Sequence, residues 1–210
     1  MQSALNSSKM ENNKTTFKKI EYYGGLITLA LLVFRFVFGT ALNGLLITAL
    51  VLMAIYYMWF GFFIFNRASL RDLATPKSRS KFTPFMIASG ILMSLIYSFC
   101  TIAIIYGIYF YQAMNFMLAT GFFFVLFATS FTLVYHRLNK EDAAYLRQFY
   151  RRSAILGLFC LFMWLTPVDT RLQILFRKHP DFIEAYKDYH ANPGDTQAEE
   201  RLKAARSLFR

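Results

Sequence analysis

The chain has 210 residues, 56% of them apolar, including 24 Phe and 13 Tyr, and its 23 Lys and Arg against 12 Asp and Glu leave a net charge of +11. Water-soluble domains hold about 45–50% apolar residues, so a soluble core of this size could not hide so many rings, and the composition predicts an integral membrane protein. The basic balance does not point to nucleic acid, which requires a basic face on a folded domain; the cations fall between apolar runs, where anionic headgroups meet them.

Residues 1–21 are polar, rich in Asn, Ser and Lys. They lack the short apolar core and cleavage site of a signal peptide and read as a retained cytoplasmic tail. A helix needs about 20 mostly apolar residues to cross the hydrocarbon. The stretch 22–65 is about twice that length with Arg35 as its one formal charge, and the GTALNG run at 39–44 supplies turn chemistry. It predicts two spans, at about 22–38 and 45–65. Thr83-Pro84 offers a hydroxyl N-cap followed by proline at the first helical position, opening a third span that runs uncharged to about Tyr109. Gln112 and Asn115 mark a second tight turn, and a fourth span follows over about 116–135. The fifth candidate, 153–168, is apolar but short, about 24 Å as a helix at 1.5 Å per residue. A run of that length either crosses or re-enters; Trp164 near its far end favours crossing, because tryptophan prefers the headgroup level.

Orientation follows from the connectors. The N-terminal tail holds Lys9, Lys14, Lys18 and Lys19; the connector after the second span holds Arg67, Arg71, Lys77, Arg79 and Lys81; the segment after the fourth holds Arg137, Lys140, Arg147, Arg151 and Arg152. Fourteen cations here against none in the two opposing turns make a positive-inside pattern. The N-terminus is therefore expected in the cytoplasm, with the Arg67–Lys81 cations and Arg147, Arg151 and Arg152 facing headgroups. Residues 139–152 read as an interfacial helix, with Leu138, Leu146, Phe149 and Tyr150 lying down while the arginines reach for phosphates. From Asp169 onward the tail carries eight Lys and Arg and seven Asp and Glu. It lies outside if the fifth segment crosses and inside if it does not.

That tail reads as helical. Asp169 or Thr170 caps a short turn through Leu172, Leu175 and Phe176, and Pro180 opens a helix with Phe182, Tyr186 and Tyr189 on one face. Asn192-Pro193-Gly194 breaks it. Thr196 and Glu199 have capping-box spacing ahead of a helix with Ala198, Leu202, Ala205 and Phe209 on one face. One helix pair buries too little to be a solenoid, so the hairpin is expected to pack on the membrane domain or a partner. The organisation is a tail at 1–21, an all-α transmembrane bundle of five spans (or four plus one re-entrant) at 22–168, and a polar C-terminal helical hairpin at 169–210.

No Asp or Glu falls inside a proposed span, whereas proton relays and cation-coupled transporters place carboxylates in the bundle interior. No proline interrupts a span, so the discontinuous helices of secondary transporters are not signalled. Arg35 lies three residues before its span ends. It either snorkels to the outer headgroups or faces the bundle as an anion-binding or helix-pairing group. Gly90, Ser94, Ser98 and Thr101 form a small, hydroxylic stripe on the third span, and Gly121, Ala128 and Thr132 are placed alike on the fourth. Small residues let helices approach closely in lipid, so packing between these two spans is the default and a hydroxyl-lined solute path the alternative; Ala103 and Gly107 extend the small-residue theme. Tyr22-Tyr23, Tyr56-Tyr57 with Trp59, and Tyr106, Tyr109 and Tyr111 sit where interfacial aromatic belts belong. A quinone or haem pocket would reuse them, but His136, His179 and His190 are isolated and outside the spans, so no haem, metal or other cofactor is expected. Cys100 and Cys160 lie within apolar runs and read as buried free thiols. No zinc-protease pair, nucleophile elbow, phosphate loop or dinucleotide fingerprint occurs, and no enzyme activity is expected.

The run 22–66, a glycine-led helix, a short turn and then AIYYMWFGFFIFN, resembles the helical hairpins of small uncharacterised membrane proteins from Bacteroidota. Those hairpins often carry Lys-x-x-His-x-Pro around the turn, where this chain has Arg35-Phe-Val-Phe-Gly39. The resemblance spans about a fifth of the chain and implies a bacterial inner-membrane setting. The expectation is a non-catalytic polytopic subunit that anchors, scaffolds or stabilises an inner-membrane assembly. Its partners would be another protein or its own copies, with anionic lipid around it and no nucleic acid. The alternative is a small oligomeric facilitator whose path is lined by Ser94, Ser98, Thr101, Thr129 and Thr132. A third reading is a lipid-active enzyme that holds headgroups with its basic loops.

Overall fold

A computed structural model describes residues 2–66, 68, 72, 82, 84–139 and 143–207. Among the described residues there are eight α-helices and no strand: α1 (Gln2–Phe38), α2 (Asn43–Phe65), α3 (Pro84–Tyr109), α4 (Met114–Asn139), α5 (Ala143–Leu165), α6 (Val168–Phe176), α7 (Pro180–Ala191) and α8 (Thr196–Ser207). Four stretches are long and apolar enough to cross a membrane, Lys19–Phe38, Thr40–Phe65, Met86–Tyr109 and Met114–Val134. The bent pair Phe149–Leu165 and Val168–Phe176 makes a fifth when counted as one span. Helix ends lie close to those that hydropathy predicts, except that α1 begins at Gln2, inside the stretch expected as a polar tail, that α5 begins at Ala143, and that the first apolar stretch begins at Lys19, which draws Glu21 into it. Thr83 and the expected headgroup-facing Arg67, Arg71, Lys77, Arg79 and Lys81 lie outside the described residues, as does the side chain of Arg147.

Small residues make α3 the central helix. In its apolar stretch 67% of the residues are buried, against 17% in the first and 22% in the fourth. On one face Ser94 sits against Gly61 of α2, where an added Cβ would stand 2.9 Å from Ser94 Cα; Gly90 is closed over by Phe62 and Asn66. Gly90 and Ser94 therefore seat α2, whereas the expected packing of the third span on the fourth occurs through Ala103 and Gly107 of α3 against Gly121 and Leu118 of α4. Helical periodicity is the reason: at 3.6 residues per turn, Cys100, Ala103 and Gly107 occupy a different face, and that face receives α4 and α5. A Cβ added at Gly121 would lie 3.5 Å from Ala103 Cβ and from both cysteine Sγ atoms, while Gly107 abuts Leu118 and Met163. Lipid tails solvate Phe and Trp as well as a protein interior does, so helices join where small residues admit the backbone. The large rings of Trp59, Phe116 and Phe127 face outward.

α5 runs the length of this assembly. It begins beside the α2–α3 connector end, where Ser153 Oγ is 2.6 Å from Tyr97 Oη. Further along, Gly157 abuts Val125 and Met163 abuts Gly107. The Trp164 ring then lies 5.9 Å from Phe123. Residues from Ala143 are the first turns of α5 instead of a separate interfacial helix. A 106° bend follows, and α6 to α8 lie across the end where the α1–α2 and α3–α4 turns emerge. Pro167 takes the cap of α6, not Asp169 or Thr170. The amphipathic faces behave as the pattern predicts: Phe182 and Tyr186 of α7 and Ala198, Leu202 and Ala205 of α8 are buried. Phe209 lies outside the described residues. Gly194, at φ +97°, makes the turn between them, and Asp195, not Thr196, caps α8 by accepting the Gln197 N–H at 2.9 Å.

Candidate functional site

Two polar hubs tie the bundle, one at each end. At the connector end the Glu21 carboxylate accepts from the Arg152 guanidinium and, at 3.3 Å, from the Tyr57 hydroxyl. The paired side chains are 12% and 14% exposed, and the guanidinium lies 5.7 Å over the Phe65 ring. Beside them the fully buried Tyr97 bonds Ser153, and its Oη is 3.4 Å from Phe149 O. Arg152 thus turns inward, contrary to the expectation that it faces headgroups. A carboxylate close by compensates its charge at a depth where a lone arginine is costly. Its neighbour Arg151 is exposed.

At the opposite end Arg35 is 2% exposed, which overturns the snorkelling reading. Its guanidinium donates to Asn43 Oδ1 and, at 3.3 Å, to Ile108 O. It also lies 5.1 Å over Tyr109 and 5.0 Å over Phe176. Tyr109 Oη closes the hub by donating to Asn43 O at 2.8 Å. Arg35 therefore joins α1, the start of α2, the end of α3 and α6, with ring faces replacing the water that would otherwise solvate it.

Cations hold the C-terminal helices over this end. Arg177 donates to Val37 O, and Lys178 Nζ donates to Phe38 O at 3.0 Å. Arg206 donates to Phe110 O at 3.0 Å. The last carbonyls of a helix have no intrahelical partner and carry the negative end of its dipole, so the ends of α1 and α3 are where such cations fit. His179 and Thr40 add a 2.5 Å side-chain contact, and Arg171 donates to Asn115 Oδ1 at 2.5 Å. Phe110 and Ala113 of the α3–α4 turn adopt φ +54° and +62°, a region that disfavours residues with a Cβ. The rings of Phe176 and Tyr186, 5.6 and 5.2 Å away, hold Phe110 in place.

Between that turn and the faces of α7 and α8 lies an open groove of about 710 Å³. Phe110, Tyr111, Asn115 and Phe116 form one wall, and Tyr186, Tyr189, Lys187, Lys203 and Arg206 the other. Burial raises the Tyr186 phenol above its ordinary value, opposed by the positive charges of Arg171 and Arg206. Burial likewise lowers the Arg171 guanidinium.

The remaining candidates are engaged in packing contacts. Ser94 Oγ donates to Gly90 O at 2.6 Å, Thr101 Oγ1 to Tyr97 O at 2.9 Å and Thr132 Oγ1 to Ala128 O at 2.8 Å. Each hydroxyl bonds the carbonyl one turn back in its own helix, and Ser98 and Ala128 are buried. Cys100 and Cys160 are free and buried, and the fold brings both against Gly121. The His190 ring lies 4.4 Å from Tyr186 in a tilted arrangement, while the His136 side chain lies outside the described residues. Among the described residues no group of three or more His, Cys, Asp or Glu gathers as a metal site. Pattern reasoning missed Glu21, whose only signal is its place at the edge of an apolar run, and Arg171, which nothing in its neighbourhood marks as buried. Comparison with protein families, curated proteins and solved structures finds no match.

Proposed function

We propose that this chain is a non-catalytic accessory subunit of a bacterial inner membrane, with its N-terminus and basic connectors in the cytoplasm and its C-terminal hairpin offered to a protein partner on the far side. The observation that carries the reading is where the bundle's polar side chains make their bonds. Glu21 is held by Arg152, Arg35 by Asn43 and Ile108 O, and the stripe hydroxyls by their own helix carbonyls. Groups engaged this way brace helices, and a braced bundle suits an anchor. The solute-path alternative needs those hydroxyls to exchange partners with a passing solute, and the geometry favours it less.

Affinity purification of the whole chain in mild detergent tests the proposal. The expected result is one co-purifying protein in fixed ratio, lost when exposed hairpin residues such as Glu184 and Arg201 are reversed in charge. Recovery of the chain alone, together with solute flux in proteoliposomes holding only this chain, would replace the anchor with the facilitator. Orientation has its own readout: a cysteine placed at Asp195 should react with an impermeant maleimide on intact cells, and one at Ser78 should not.

A further inference from the structure

Arg171 is 3% exposed, yet its hydrogen bond goes to the neutral amide of Asn115, and its Nε and Nη1 have no acceptor. Burying an ionised group without a counter-charge is unfavourable, so a guanidinium so placed raises the potential of whatever lies beside it. What lies beside it is the groove. Phe110, whose ring is 5.7 Å from Arg171 Cζ, Asn115, which accepts its bond, and Tyr186, whose phenol feels its charge, are all groove wall. Arg206, Lys187 and Lys203 line the groove directly. The carboxylates there are Asp169 and Glu199, which face Lys187 at 3.6 Å and Lys203 at 2.6 Å. These pairs are solvent-exposed, and exposed pairs are weak, so both lysines can turn to a stronger anion. His190 completes the titratable set.

We propose that this groove binds a phosphate ester. The phosphate sits against Arg206, Lys187 and Lys203, and Arg171 strengthens its hold from one side-chain layer behind, across a wall of low dielectric. Arginine forks match phosphate oxygens in geometry as well as charge. A volume of about 710 Å³ is that of a small-molecule site and far exceeds a bare phosphate, so the ligand carries an organic part that lies on the Tyr111, Tyr186 and Tyr189 rings. α3 ends at Tyr109 and α4 begins at Met114, which puts the groove at headgroup level. A lipid headgroup and a soluble ester present the same chemistry there. The site stands or falls independently of a partner protein.

The test uses the full chain in detergent with two probes: glycerol 3-phosphate by titration calorimetry, and phosphatidylglycerol by native mass spectrometry after delipidation. Saturable one-to-one binding of glycerol 3-phosphate assigns a soluble ester, and retention of phosphatidylglycerol alone assigns a lipid; either supports the site. Affinity should fall roughly tenfold in Arg206→Gln and in Arg171→Gln, the usual loss when a charged hydrogen bond or its supporting charge is removed. Lys203→Glu, at an exposed position, keeps the test open if the arginine variants misfold, and it should weaken binding as well. No saturable binding of either probe, or an affinity that the folded variants leave unchanged, would overturn the proposal.

Discussion

Replacing Gly61 with alanine tests the seam on which the bundle is built. An added Cβ would stand 2.7 Å from Ser94 Cβ and 2.9 Å from Ser94 Cα. No rotamer change clears a backbone atom, so α2 and α3 must part by roughly 1 Å to restore ordinary carbon contacts of about 3.5–4.0 Å. A gap of that size forfeits about a quarter to a half of each contact's dispersion energy, and overpacking of this kind costs typically about 1–3 kcal/mol. Alanine's better helix propensity offsets up to about 1 kcal/mol, which leaves a net loss of roughly 1–2 kcal/mol. Thermal unfolding in mild detergent, followed by circular dichroism, reads this directly. At about 2–4 °C per kcal/mol for a chain of this size, the midpoint should fall by roughly 2–8 °C. Gly25→Ala is the control: a Cβ there meets no heavy atom within 4 Å, so propensity acts alone and the midpoint should hold or rise. Adding Ser94→Gly to Gly61→Ala should recover part of the loss. A Gly61→Ala protein that melts at or above the parent would show that α2 and α3 do not meet at this pair.

Asn43→Leu takes one of its two hydrogen-bond acceptors from the buried Arg35 guanidinium and should cost about 3 kcal/mol, since an unsatisfied charged donor costs more than a neutral one, whereas Arg35→Leu leaves only neutral acceptors unpaired, about 1–3 kcal/mol. The double variant should therefore melt above Asn43→Leu alone, and the reverse order would mean that the charge is satisfied elsewhere. Glu21→Gln should destabilise by about 3 kcal/mol by leaving Arg152 without its carboxylate. Exchanging the two residues, Glu21→Arg with Arg152→Glu, should recover most of that, and a swap no better than the single change would deny the pairing. Ala113→Gly relieves the positive φ of an exposed residue and should stabilise by about 0.5–1 kcal/mol; a lower melting point would place the turn in another conformation.

Hydropathy, turn residues and caps are properties of neighbouring residues, and what depends on them was legible in the chain. The end of α3 at Tyr109, the break at Gly194 and the buried faces of α7 and α8 all fall where local pattern predicts. The α5 start was not, because Arg151 and Arg152 interrupt the apolar run and hydropathy counts charge without knowing that Glu21 waits across the bundle. Capping failed at α6 and α8 by one to three residues, since several polar residues cluster there and only the backbone selects among them.

The sequence by itself determined a helical, membrane-resident chain with cationic connectors and a polar helical tail, because burial in lipid depends on composition and run length alone. Only the tertiary structure decided that Arg35 faces inward, that the Gly90–Ser94 stripe serves α2, that the tail caps the far end and that a groove opens there. Each of these turns on how a helix is rotated about its own axis and which element stands opposite. Partners such as Glu21 and Arg152, 131 residues apart, leave no local trace of their meeting.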